Sequence, residues 1–132
     1  IPFETEAHRP VKATGTSTSD LLHEADATDA SGGTDIYEGL LSALDELPSE
    51  SEASQYTTAI VLMTDGRSNS DHQDEFESAY KSRGRDLPIF SIMFGDADPS
   101  QLKSLATLSN AKVFDGRSGD LAAVFRQAKG FN

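Results

Sequence analysis

Cysteine is absent from these 132 residues, which removes disulfides, thiolate metal sites and cysteine nucleophiles together. Basic residues are scarce: Lys and Arg number 11 against 22 Asp and Glu, a formal net charge of −11 at pH 7. A surface of that sign repels phosphate backbones, so no nucleic acid is expected as a partner, while bound cations and basic protein surfaces are electrostatically favoured. No apolar run approaches the roughly 20 residues of a membrane-spanning helix. The amino end, Ile1-Pro2-Phe3, carries no signal-peptide pattern and reads as a cut inside a larger protein. There is no internal repeat, no phosphate-cradling Gly-x-x-x-x-Gly-Lys-Ser/Thr and no Gly-x-Ser-x-Gly elbow, which takes away the commonest sequence warrants for phosphate or ester chemistry.

What is present suits one domain, residues 1–132, able to bury a core without covalent staples: 36% of residues are hydrophobic and 25% charged. The polar amino-terminal third offers two short strands, at 1–5 and 8–13, around Glu6-Ala7, then a helix from Ser17 to Ala25 capped by Ser19 or Asp20. From Asp35 onward Ile36, Leu40, Leu41, Leu44 and Leu47 follow a helical period that Pro48 ends. Asp35 with Glu38 resembles a capping box. Ser49 to Tyr56 reads as a solvated acidic loop. Ala59–Met63 is continuously apolar, as strands covered on both faces are, and Pro88–Phe94 is a second buried-strand candidate, stopped by Gly95. Between them a helix is expected from Asp71 to Arg83, with Phe76, Ala79 and Tyr80 on one side. Asp98 caps a further helix with Pro99 at its first position, the favoured place for proline. Ala111–Phe114 reads as a short strand, and Leu121, Val124, Phe125 and Ala128 mark a closing helix that ends at Gly130. Alternation of this kind predicts an α/β, Rossmann-like doubly wound fold, with a mostly parallel sheet and helices on both faces.

Two segments carry the chemistry, Gly32-Gly33-Thr34-Asp35 and Ile60-Val61-Leu62-Met63-Thr64-Asp65-Gly66. The second is a buried-strand run ending in an acid, and open parallel sheets bind ligands just beyond the carboxyl ends of their strands. Hard divalent cations take oxygen ligands, so Thr34 and Asp65 are the candidate metal ligands, expected to converge at one rim of the sheet. Plainer readings compete. Asp-Gly is a common turn pair, Thr34 suits a turn, and Ser68 and Asn69 suit a plain turn as well. Asp35 is expected as a helix cap rather than a ligand. Asp96, Asp98 and Ser100 imitate the start of a calcium-binding loop, but Pro99 interrupts it, glycine is missing at its sixth position and Thr107 stands where the terminal glutamate belongs. His8, His23 and His72 sit among polar neighbours and are expected at the surface; Tyr80, Phe90 and Phe94 are expected in the core.

These residues resemble a von Willebrand factor type A domain, most clearly at Gly32-Gly33-Thr34-Asp35-Ile36-Tyr37 and at Ile60–Gly66, with support from Phe90–Gly95 and Val113–Gly119. The last stretch, with the helix to Phe131, is similar to bacterial exported proteins that join this domain to a solute-binding-protein-like module. The resemblance implies a protein-binding or adhesion module, not an enzyme. Its metal-ion-dependent adhesion site is built from an Asp-x-Ser-x-Ser motif, a threonine matched by Thr34 and an aspartate matched by Asp65. A partner's carboxylate then completes the coordination of Mg²⁺ (or Mn²⁺ or Ca²⁺). The Asp-x-Ser-x-Ser motif is missing, and Asp29-Ala30-Ser31-Gly32-Gly33 only echoes its start. The chain is therefore expected to lack the amino-terminal strand and helix, to carry half a metal site that binds no ion firmly alone, and to recover strand pairing through self-association or a complementing chain. By resemblance only, the location is extracellular or at a bacterial cell surface. Two alternatives stand beside it. One is a Mg²⁺-dependent hydrolase or phosphotransferase centred on Asp65 with Asp35, Asp71 or His72; the other is a structural or assembly domain with a vestigial site.

Overall fold

The computed structural model describes residues 1–13, 19–27, 32–53, 55, 57–69, 71–83, 87–118, 123 and 126. Three parallel strands, β1 (Ile60–Thr64), β2 (Ile89–Met93) and β3 (Val113–Asp115), form one sheet in the order β1-β2-β3. The helices are α1 (Ser19–Ala27), α2 (Ile36–Asp45), α3 (Glu50–Ala53), α4 (Gln73–Ser82) and α5 (Pro99–Leu108), and a 3-10 turn follows β3 at Gly116–Ser118. The class is α/β and Rossmann-like, as the alternation predicts. Two compact units divide it, Ile1–Leu47 with Asn69–Tyr80, and Pro48–Ser68 with Lys81–Asn132.

In the second unit β2 lies between the other two strands, and all five of its residues are buried. That is why it reads as an apolar run, broken only by Ser91, rather than as an alternation. β1 does alternate: Leu62 and Thr64 are buried, while Val61 and Met63 are 42% and 43% exposed. The register pairs Val61 with Phe90 and Met63 with Ile92, so both exposed side chains share a face with the Phe90, Ile92 and Phe114 cluster. α5 packs against β2 and β3. Its start is fixed by Asp98, whose Oδ1 accepts from the Ser100 amide at 2.8 Å and the Ser100 hydroxyl at 2.6 Å, while Pro99 contributes no donor that would need a partner. Its end is fixed by Asn110 in the left-handed region, φ 50, and by Ser109. The Ser109 hydroxyl donates to the Leu105 carbonyl at 2.8 Å and accepts the Ile89 amide at 3.2 Å, tying the helix end to the start of β2.

In the first unit α2 and α4 meet through aromatic rings: Tyr37 and Phe76 are 6.1 Å apart, Phe76 and Tyr80 5.8 Å. The strands expected at 1–5 and 8–13 do not form. A single antiparallel bridge joins Phe3 and Ala7, inside a tight turn closed by Glu4 N–H to Glu6 O (3.0 Å) and His8 N–H to Pro2 O (2.9 Å). The segment is tied instead to the loop before α2: the Glu4 carbonyl accepts the Asp35 amide at 2.6 Å, which takes it out of a ladder, and the Thr5 hydroxyl accepts the Gly33 amide at 3.1 Å. Phe3 lies over Gly39, where a Cβ would come within 2.8 Å of the ring. Only glycine admits that approach.

Ser49–Tyr56 also differs from the expected loop, since Glu50–Ala53 is helical. Ser49-x-x-Glu52 has the capping-box pattern and forms the half of it in which the glutamate reaches back to the serine amide. The Glu52 carboxylate accepts from the Ser49 amide at 3.3 Å and from its hydroxyl at 2.7 Å, and the Glu52 amide returns to the Ser49 carbonyl at 3.1 Å. The closing helix expected from Leu121 to Gly130 lies outside the described residues except for Ala123 and Arg126, which are helical. The Asp29–Ser31 echo falls outside them altogether.

Candidate functional site

Asp65 follows directly on β1, at the carboxyl end of a strand that forms one edge of the sheet. Its backbone is committed: the carbonyl accepts the Asp96 amide at 2.9 Å. A Cβ on Gly95, which sits at φ +43, would stand 2.8 Å from that same carbonyl. Glycine is required there twice over, for its left-handed conformation and for the close approach. Two further bonds clip the loop to α5, from the Ser68 amide to Gln101 Oε1 (3.3 Å) and from Gln101 Nε2 to the Ser68 carbonyl (3.0 Å). With the backbone held so, the Asp65 side chain is exposed, and among the described residues its carboxylate has no hydrogen-bond or ion-pair partner.

Thr34 belongs to the first unit, in the loop that opens α2. Its carbonyl accepts the Asn69 amide at 2.9 Å; its side chain is half-buried, and its hydroxyl has no partner among the described residues. The next residue is the reverse. Asp35 is 1% exposed, and its Oδ1 accepts the Tyr37 amide at 3.0 Å and the Glu38 amide at 3.2 Å, which makes it the N-cap of α2 as expected. Its Oδ2 lies 2.6 Å from His72 Nδ1. That hydrogen bond raises the His72 pKa above the ordinary histidine value; the field of Glu38 and Glu75 adds to the effect, and partial desolvation opposes it.

His72 was expected at the surface among polar neighbours; it is 40% exposed at the side chain and bonded to a buried acid. Nothing local signals this, because the partners are 37 residues apart. An Asp–His pair is the orienting half of many catalytic triads, yet among the described residues no hydroxyl is bonded to the other ring nitrogen. Neither do three His, Cys, Asp or Glu side chains gather to hold a metal ion among the described residues. Asp96, Asp98 and Ser100 build a helix start, with Asp98 consumed as its cap. The uncommitted oxygens at the sequence-predicted positions are therefore the Thr34 hydroxyl and the Asp65 carboxylate. Each is a hard donor of the sort Mg²⁺ accepts. No helix among the described residues is long and apolar enough to cross a membrane.

A family model described as von Willebrand factor type A domain matches residues 3–127, and the chain belongs to that family. Domains of this family are generally protein-interaction modules. Neither the curated proteins nor the solved structures yield a match.

Proposed function

We propose that this type A domain recognises a protein partner through a divalent cation, Mg²⁺ or Mn²⁺, toward which Thr34 contributes a hydroxyl and Asp65 a carboxylate. The observation that carries the reading is the Asp65 side chain, exposed and without a partner among the described residues, at the carboxyl end of a parallel edge strand. Ligands of open parallel sheets bind at that end of the strands. A cation held by so few protein oxygens keeps open positions, and a carboxylate from the partner fills one of them by charge and by hardness. Asp35 has no place in the ligand set, because both of its oxygens are used inside the fold. The reading contains no bond-making step and therefore no catalytic residue. The edge strand β1 is its structural corollary: a second copy of the chain or a complementing strand pairs there.

The test is a Mn²⁺ titration followed by paramagnetic broadening of backbone resonances. Signals of Thr34 and Asp65 should broaden first, Asp65→Ala should weaken the effect about tenfold or more, and Thr34→Ala should weaken it less, as expected for a charged against a neutral donor. A titration that leaves both residues sharp would remove the cation from the reading and favour a structural domain with a vestigial site.

A further inference from the structure

The buried carboxylate of Asp35 has two oxygens, and α2 uses only one. Oδ1 takes the two free amides of the first helical turn, where the partial positive charge of the helix N-terminus also favours an acid. Left alone, Oδ2 would be a buried charged atom without a partner, at a residue 1% exposed, which is among the costliest arrangements a fold can hold. His72 supplies that partner at 2.6 Å. Its own backbone is fixed as well, since its carbonyl accepts the Phe76 amide at 2.9 Å in the first turn of α4. Three residues earlier Asn69 donates its amide to the Thr34 carbonyl at 2.9 Å, and its side chain accepts the Asp71 amide at 3.4 Å. Thr34 and Asp35 are thus gripped at adjacent residues by Asn69 and His72, while the Glu4 carbonyl holds the Asp35 amide and the Thr5 hydroxyl holds that of Gly33.

We propose that His72 is a positioning residue for the Thr34 loop: by donating from Nδ1 to the buried Asp35 carboxylate it holds the Thr34 hydroxyl, half-buried and unpaired, as a preset oxygen donor. The purpose of this device rests on the cation reading of Thr34; its geometry does not. An acceptor at Oδ2 demands a proton on Nδ1, whereas a free neutral imidazole commonly carries its proton on the other nitrogen, so the ring is held in the less common tautomer.

Two measurements on the chain test it without any bound ion. In a long-range nitrogen–proton spectrum at pH values where the ring is neutral, His72 should show a protonated Nδ1; a bare Nδ1 would overturn the proposal. In amide exchange, His72→Ala should speed the Tyr37, Glu38 and Asn69 amides about tenfold, the loss expected for one charge-assisted hydrogen bond, and leave the β2 amides unchanged. His72→Asn, whose amide nitrogen lies close to the place of Nδ1, should return those rates toward the wild-type values. Equal acceleration in β2, no acceleration in the first unit, or failure of the asparagine variant to rescue would each assign His72 to general stability instead. Should the alanine variant fail to fold, the tautomer and the asparagine variant still decide. A negative Mn²⁺ titration leaves all of these readouts intact, so the two proposals fail separately.

Discussion

Asp35 and Ser91 are both polar side chains closed off from water, one in each unit, and the molecule treats them oppositely. Asp35, 1% exposed, has every oxygen engaged, by two amides and an imidazole. Ser91, 0% exposed in the middle of β2, has a hydroxyl with no hydrogen-bond partner among the described residues. The difference follows from what each would lose. An ionised carboxylate without partners is expelled or neutralised, so the loop that carries it has to be built around it. A hydroxyl costs far less when orphaned, and a strand core can carry it as a small defect. The lesson concerns the candidate site: the Thr34 loop is shaped by the needs of its neighbouring acid, and the threonine inherits that order.

Removing the acid gives the largest effect. Asp35→Ala deletes the α2 cap and strands His72, and it should cost about 2–3 kcal/mol in urea unfolding, the sum of a lost N-cap and a lost charge-assisted hydrogen bond. A cost below about 0.5 kcal/mol, the level of an ordinary surface change, would break the contrast with Ser91.

Part of this was legible in the residues alone. The elements α2, β1, β2 and α5 follow from local signals: a helical period from Ile36 that Pro48 ends, two largely apolar runs, and Asp98-Pro99 at a helix start. α3 was equally readable, since Ser49-x-x-Glu52 spells a capping box, but its acidic composition argued for solvent. The amino-terminal segment shows the limit of local reasoning. Its strand-like stretches are overridden by bonds from Glu4 and Thr5 to residues about thirty positions away, and no periodicity encodes those. For the site, an apolar strand ending in an acid pointed to Asp65 and the family resemblance to Thr34, while the His72 bond and the absence of partners for those two side chains among the described residues are properties of the folded chain only.

The hydroxyl in β2 supplies the opposite arm of the comparison. Ser91→Ala removes an unpaired polar atom and leaves a methyl group of similar size among apolar neighbours. It should be neutral or stabilising by up to about 1 kcal/mol, where most buried substitutions destabilise. A loss of 1 kcal/mol or more in thermal or urea unfolding would mean the hydroxyl has a partner after all, and the two units would then follow one rule.

The smallest effect separates the units by the direction of their response to pH. In the first unit, the bond to Asp35 raises the His72 pKa above its usual 6.5. A group whose folded pKa is raised contributes stability in full below its unfolded value and loses it as pH rises through the folded one. In the second unit, Arg117 hydrogen-bonds the Asp115 carboxylate and holds its pKa at about 2, below the usual 3.8. A depressed acid contributes stability above its unfolded value and loses it as pH falls toward 2. Residue-resolved chemical shifts should therefore show the Asp35–His72 neighbourhood changing on the alkaline side of 6.5 and the Asp115–Arg117 turn changing between about 4 and 2. The Asp115–Arg117 pair is exposed on both partners, so salt should flatten its response more than that of His72, whose partner is buried. A His72 ring that titrates below 6.5 would reverse the first arm. It would mean that desolvation of the ring outweighs its bond to the Asp35 carboxylate, to which the neutral imidazole would still donate from Nδ1.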